Sequence, residues 1–209
     1  MQPGTRLQTP LVLFLYGLMA VAAASQQVPD NAAEVRPVAV GERAPAFTAS
    51  GPAGGEYAFR PAELDGPAIL IFYRGGWCPY CNRHLAQLRH AVPQLREAGY
   101  EVLFLSADRP SRLRSSLEEP DLDYRLLSDA SMAIARSWGV AFRVDDETAE
   151  RYRRVGIDLQ AASGHDHQQL PVPSVFLVDA DGFVRFRYVN PDYRERLGAE
   201  ALLDAAGVD

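Results

Sequence analysis

The sequence predicts an α/β layered domain with a central mixed sheet flanked by helices. Three observations carry this. Apolar runs of strand length at 68–73 and 101–107 alternate with stretches of helical periodicity. A strand–turn–strand pattern, 175–178 and 183–189 around Asp181-Gly182, follows them and precedes a last helix. The chain has 209 residues, enough for one domain with a single core plus a tail.

The elements follow in chain order. Arg6 and an apolar run over 11–24, ending in Ala22-Ala23-Ala24, predict a signal peptide over 1–24, cleaved after Ala24 or Ser25. The run is short for a bilayer span, although an uncleaved anchor is the alternative. Export, to a bacterial periplasm in the simplest case, is the expectation. Residues 25–40 are polar and read as a disordered lead-in. The domain is expected over 41–209. Ala44-Pro45-Ala46-Phe47 predicts a short edge strand, with Tyr57-Ala58-Phe59 as its partner.

The run 68–73 reads as a parallel strand buried on both faces. Arg74-Gly75-Gly76 ends it. A helix is expected from Cys78 to Ala98, with Leu85, Leu88, Val92 and Leu95 on one face, kinked at Pro93 and stopped at Gly99. After the strand 101–107, Asp108 is expected to cap a helix to Leu117. A strand at 124–127 and a helix capped by Asp129 through Trp138 come next. Residues 143–170 read as a polar insertion with one helix after Asp145-Asp146. A helix from Asn190-Pro191 to Ala206 ends the chain.

The formal charge is −6, and no Lys/Arg block exists, which argues against nucleic acid as a partner. Only two cysteines occur, both in Trp77-Cys78-Pro79-Tyr80-Cys81. A disulfide stabilises mainly by closing a long loop, and a two-residue loop closes almost none. A zinc site would need two more ligands, with only His84, His90, His165 and His167 available. Redox reactivity is the reading that remains.

Position supports it. The pair falls where a buried strand gives way to a helix. Unpaired N–H groups and the helix dipole there favour a thiolate on Cys78. Cys81 lies one turn on, on the same face, and can attack a mixed disulfide on Cys78. Pro79 suits the first turn because its missing N–H has no role there. Trp77 supplies an apolar flank and Tyr80 a substrate contact. Arg74 can stabilise a thiolate; the alternative is an exposed strand-end arginine. His84 reads as a solvated helix residue rather than a proton shuttle. His165-Asp166-His167 reads as a polar surface loop.

Three segments together resemble the thioredoxin superfamily, and within it the AhpC/TSA peroxiredoxin-like branch. They are Gly41-Glu42-Arg43-Ala44-Pro45-Ala46-Phe47, Phe72-Tyr73-Arg74-Gly75-Gly76-Trp77-Cys78-Pro79-Tyr80-Cys81, and Val172-Pro173-Ser174 leading into Phe176-Leu177-Val178-Asp179 and Gly182. The resemblance spans roughly 41–206 and implies a thioredoxin-like fold. It implies a cis peptide at Pro173 and a Val172 backbone that pairs with incoming substrate. It implies a catalytic dithiol and no cofactor or metal. It implies protein or small disulfides, or hydroperoxides, as substrates, with an external dithiol as electron donor.

One departure matters. Aligned on Tyr73, Arg74 stands where peroxiredoxins carry Pro, Cys78 where they carry Thr or Ser, and Cys81 where they carry the peroxidatic cysteine. The lead expectation is therefore a thiol–disulfide oxidoreductase in which Cys78 attacks and Cys81 resolves. A thiol-dependent peroxidase would reverse those roles, with Cys81 attacking and Cys78 resolving. A redox-sensing binding module is the non-enzyme alternative.

Overall fold

Six consecutive apolar residues, Ala68–Tyr73, form the central strand β3, and every one of them is buried. Alternate side chains leave a strand on opposite faces. Leu70 and Phe72 therefore join a core with Phe59, Trp138 and Phe176. Ile69, Ile71 and Tyr73 join a second core with Leu85, Phe104 and Leu177, which also contains Cys78 and Cys81. The sheet is thus covered on both faces. The computed structural model describes residues 28–208, apart from 116 and 120–122. The expected signal peptide and residues 25–27 lie outside the described residues.

Around β3 the elements run β1 (Phe47–Ser50), β2 (Glu56–Phe59), α1 (Pro79–Gln87), α2 (Ala91–Glu97), β4 (Glu101–Ser106) and β5 (Arg125–Ser128). They continue with α3 (Ala133–Ser137), β6 (Ala141–Arg143), α4 (Asp146–Arg154), α5 (Leu159–Ser163), β7 (Gln169–Pro171), β8 (Ser174–Val178), β9 (Val184–Val189) and α6 (Ala199–Ala206). The main sheet has the order β2-β1-β5-β4-β3-β8-β9. Its centre is parallel, β3 with β4 and β4 with β5, and its flanks are antiparallel. This is the mixed, helix-flanked sheet the sequence predicts.

Several expectations are corrected. Residues 28–40 are not a loose lead-in along the described stretch. Val28 and Val38 pack on the core, Val38 N–H donates to Trp138 O at 3.2 Å, and Arg143 N–H donates to Pro29 O at 2.8 Å. The valines are enough apolar surface to hold an otherwise polar segment down. At Gly139 the backbone has φ +67°, and an added Cβ would sit 1.9 Å from Arg36 O, so this close approach needs glycine.

The long helix expected over 78–98 is two helices. Proline removes an N–H and its ring clashes with the carbonyl four residues back. The break accordingly falls at 88–90, and Pro93 sits in the first turn of α2, where no N–H is needed. The first strand begins at Phe47, three residues later than expected. Among the described residues the expected helix after Asp108 is a 3-10 turn, Pro110–Arg112, with Arg109 at its N-cap position, and the Asp108 carboxylate accepts Gly76 N–H at 2.7 Å. The N-cap position of α3 is Met132 rather than Asp129, but the Asp129 carboxylate still accepts from Ile134 and Ala135 N–H in the first turn, at 3.0 and 2.7 Å.

The insertion carries two helices instead of one, with Asp145 and Asp158 as their N-caps. Its ends pair as a small second sheet of β6 with β7, which brackets α4 and α5. The C-terminal helix starts at Ala199 rather than Asn190. Residues 190–198 instead cross the end of the sheet as an irregular strap. The expected cis bond is absent: among the described residues no peptide bond is cis, so Pro173 is trans. The chain runs extended from β7 through 172–173 into β8, and a trans proline suits that path.

Candidate active site

The turn from β3 to α1 is built by local chemistry. Gly76 N–H bonds Asp108, and Asn82 Nδ2 returns a bond to Gly76 O at 2.6 Å. Cys78 N–H donates to Gly75 O at 3.1 Å. A Cβ on Gly75 would meet the Trp77 ring nitrogen at 2.3 Å, so glycine there lets the indole fold back over the strand end. Cys78 is the N-cap of α1, with extended φ and ψ, and Pro79 occupies the first helical position. The Cys78 carbonyl accepts from Cys81 and Asn82 N–H at 2.9 and 3.1 Å.

Both cysteines are free thiols and both are buried, Cys78 with 2% of its surface exposed and Cys81 with none. Their environments differ in sign. The Cys81 thiol donates toward the Cys78 sulfur and holds the Cys78 pKa down, from an ordinary 9.0 to about 6. Burial opposes this. The Arg74 charge, the Cys81 backbone N–H and the Arg196 charge reinforce it. Cys81 is pushed well above its ordinary range, first by burial and then by its bond and proximity to Cys78. One thiolate on Cys78 and one thiol on Cys81 is the state this geometry favours.

Arg74 is not an exposed strand-end residue. It is 4% exposed, donates to the Tyr152 hydroxyl at 2.5 Å, and lies over three rings. The ring centroids of Trp77, Tyr152 and Tyr193 are 5.2, 5.3 and 4.2 Å from its guanidinium carbon. Arg196, on the strap, reaches Cys81 Sγ at 3.6 Å. Tyr193 also meets Tyr80 edge to face at 5.5 Å. Sequence reasoning missed Tyr152, Tyr193, Arg196 and Asp108. They come from elements far along the chain, and no local pattern marks them.

The other expected site residues divide. Trp77, Pro79 and Tyr80 surround the dithiol, with Pro79 exposed and the two rings half-buried. Val172 and Pro173 line a cleft of about 500 Å³ together with Arg74, Tyr152 and Tyr193. The Val172 backbone does not face a substrate: its N–H donates to Val140 O at 2.8 Å and its carbonyl accepts from Ser174 Oγ at 2.6 Å. Pairing of β6 with β7 brings Val140 alongside and satisfies that amide. His84 is buried rather than solvated. Its ring nitrogen bonds Leu197 O at 2.9 Å, and burial pulls its pKa down to about 4, so it is a neutral tie holding the strap. His165 is exposed and His167 bonds Ala130 O, and among the described residues no cluster of metal ligands exists.

Two outcomes follow. Substituting Arg74→Gln is expected to raise the ionisation midpoint of Cys78 by about one pH unit, since a neighbouring opposite charge is lost. The pH dependence of iodoacetamide labelling reads it. The second concerns stability. Cys78 is depressed in the fold, so between about pH 6 and 9 the unfolded chain binds the extra proton. The stability of the reduced protein therefore rises with pH across that window, and this contribution is lost as pH falls through 6. Urea midpoints of the reduced wild type should climb relative to Cys78→Ser over the same range.

Comparison with known proteins fits this geometry. Residues 40–187 match the AhpC/TSA family. Peroxiredoxin Bcp of Escherichia coli is 29% identical over 107 residues, 51% of this chain and 67% of its own length. The chloroplastic peroxiredoxin Q of Suaeda salsa is 27% identical over 161 residues, 77% of this chain and 64% of its own. Among solved structures, peroxidoxin BcpB from Mycobacterium tuberculosis superposes with a TM-score of 0.59 at 21% identity, covering 80% of this chain and 92% of that one. The last of these establishes a shared fold.

Proposed function

The chain belongs to the AhpC/TSA family and is a peroxiredoxin-like thiol oxidoreductase; from that premise we propose that it reduces disulfides, with Cys78 as the attacking thiolate and Cys81 as the resolving thiol. The observation that carries the proposal is the opposite perturbation of two adjacent cysteines. Cys78 is held as a thiolate by Cys81, Arg74 and Arg196, while the wholly buried Cys81 is held protonated.

In the first step the Cys78 sulfur bonds to one substrate sulfur. The substrate S–S bond breaks, and the leaving thiolate takes up a proton. Once Cys78 is no longer a thiolate, its share of the rise at Cys81 is gone and only burial still holds the proton. Cys81 then loses its proton and attacks Cys78 Sγ, forming the Cys78–Cys81 disulfide and releasing the second substrate thiol. The substrate gains two electrons and the dithiol loses two. An external dithiol donor restores the pair.

A hydroperoxide is the second substrate class, and family membership favours it. The same perturbations argue that a peroxide would also meet Cys78 first, because Cys81 is protonated and inaccessible. Export belongs to the proposal as well, supported by the apolar run over 11–24 and its Ala22-Ala23-Ala24 end. A mature N-terminus at Ser25 or Gln26 is the expected result of sequencing the processed protein.

The deciding experiment mixes reduced Cys81→Ser and reduced Cys78→Ser, each with a disulfide and, separately, with hydrogen peroxide. The proposal expects a stable mixed disulfide on Cys78. Rapid sulfenic acid on Cys81 in Cys78→Ser, with no mixed disulfide on Cys78 in Cys81→Ser, would replace it with the peroxidase assignment.

A further inference from the structure

The strap over 190–198 brings one group to the dithiol from outside its own loop. Arg196 Nη2 lies 3.6 Å from Cys81 Sγ. The next residue fixes it there. Leu197 is buried in the core that holds both cysteines, and its carbonyl accepts from His84 Nε2 at 2.9 Å. A carbonyl can only accept and the imidazole is neutral, so Nε2 carries the ring proton. His84 stands on α1 one turn beyond Cys81, so this tie anchors the strap beside the sulfur that Arg196 reaches. Asn190 N–H, bonded to Pro173 O at 3.3 Å, and Tyr193, packed on Tyr80, hold the other end.

Arg196 is half-buried, so it needs no anion in the resting protein. Its Nη1 donates to Glu195 O at 3.0 Å. Asp192, a carboxylate that feels its charge, has both oxygens bonded to Arg194 instead. Among the described residues Arg196 takes part in no ion pair.

The contact with Cys81 gains strength in one state only. In the resting protein Cys81 is a thiol, and an N–H to a neutral sulfur is a weak bond. In the resolving step the same sulfur must carry a negative charge while 0% of the residue is exposed to solvent. Burial penalises that charge. The Arg196 guanidinium and the Arg74 backbone N–H oppose the penalty. A hydrogen bond to an ionised partner is roughly twice as strong as a neutral one. An interaction that strengthens along the reaction lowers its barrier. Cys78 depends on Arg196 far less, because the Cys81 thiol and the Arg74 charge come before it there.

We propose that Arg196 is a catalytic residue of the second half-reaction, its guanidinium stabilising the Cys81 thiolate as that sulfur attacks Cys78. This rests on the disulfide-reductase reading above. In that step the Cys81–Cys78 bond forms, the bond from Cys78 to the substrate sulfur breaks, and the departing sulfur takes the electron pair. The proton given up by Cys81 balances the one taken up by the departing thiolate, so no further reactant is needed. A cation at this range raises the ionised fraction of an acid by about 10- to 10³-fold. The more stable thiolate is a weaker nucleophile, which returns about half of that gain on a logarithmic scale. About tenfold in the rate of resolution remains.

The test mixes reduced full-length protein with dithiodipyridine, a neutral disulfide that releases one absorbing pyridinethione at each step. The first is released as Cys78 attacks, at a rate proportional to reagent concentration. The second is released as Cys81 resolves, at a rate independent of it. Cys81→Ser keeps only the first, and mass mapping locates its adduct. Arg196→Gln should leave the first phase close to the wild-type rate and slow the second about tenfold. Arg196→Lys keeps the charge and should be several-fold faster than Arg196→Gln in the second phase alone.

An unchanged second phase in Arg196→Gln, or equal slowing of both phases, would overturn the assignment and leave disulfide reduction standing. A second phase as slow in Arg196→Lys as in Arg196→Gln would do the same, because the contact would then act through shape and not charge. If the wild type releases no pyridinethione, or Cys81→Ser forms no adduct on Cys78, both the assignment and the reading beneath it fail.

Discussion

Substituting Cys78→Ser is expected to lower disulfide turnover by about 10³-fold or more, the scale seen when a nucleophile is removed. The reason is electronic. A serine hydroxyl is not ionised anywhere near neutral pH, and the stabilising groups around position 78 act on a thiolate. Those groups, the Cys81 thiol and N–H and the Arg74 and Arg196 charges, would face a neutral oxygen instead. Cys81 cannot take over, because burial keeps it protonated and out of reach. Cys81→Ser should behave differently: the first bond still forms, and the protein stops after one event as a mixed disulfide. A dithiol-coupled steady-state assay with mass measurement of the resting protein distinguishes the two. Equal losses, with no adduct in either variant, would contradict the division of roles.

The second large effect is on stability. Trp138→Ala is expected to lower unfolding free energy by about 3–5 kcal/mol, the range for large aromatic truncations in cores. The indole is fully buried, with ring centroids 4.9 Å from Phe176, 5.9 Å from Phe72 and 6.3 Å from Phe59. It therefore ties β8, β3 and β2 to the helix that follows β5. Val28 and Val38 pack on the same core, so the segment 28–40 should loosen as the indole is lost, even though the backbone carbonyl at 138 still accepts from Val38 N–H. Urea unfolding of the reduced protein measures the loss, and proteolysis near the N-terminal segment reports the release. A change under about 1 kcal/mol would mean the cavity collapses without cost, against the packing described.

What the sequence revealed of this molecule was the chemistry written over short distances. The strand 68–73, the glycines after it and the helix beginning at Pro79 are adjacent in the chain, so one pass locates the dithiol and its place at a helix start. The hairpin of β8 and β9 is legible for the same reason. What was not legible depends on chain separation. Tyr152, Tyr193 and Arg196 reach the site from 78 to 122 positions beyond Arg74, through elements whose own patterns say only polar helix or exposed strap. Pro173 shows the opposite error. A proline before a core strand, beside a dithiol, resembles the cis-proline loop of thioredoxins, yet β7 feeds straight into β8 and holds it trans. Pro93 was a matter of a few residues: the kink became a break one turn upstream, where the ring's clash falls.

The central claim is that Cys78, not Cys81, is the nucleophile of the reduced protein. Limiting iodoacetamide, added to reduced wild type across pH 5 to 9 and followed by peptide mapping, tests it most directly. The expected result is carbamidomethylation of Cys78 with a midpoint near pH 6, and Cys81 unlabelled until the protein is unfolded. Labelling of Cys81 first, at any pH in that range, would contradict it.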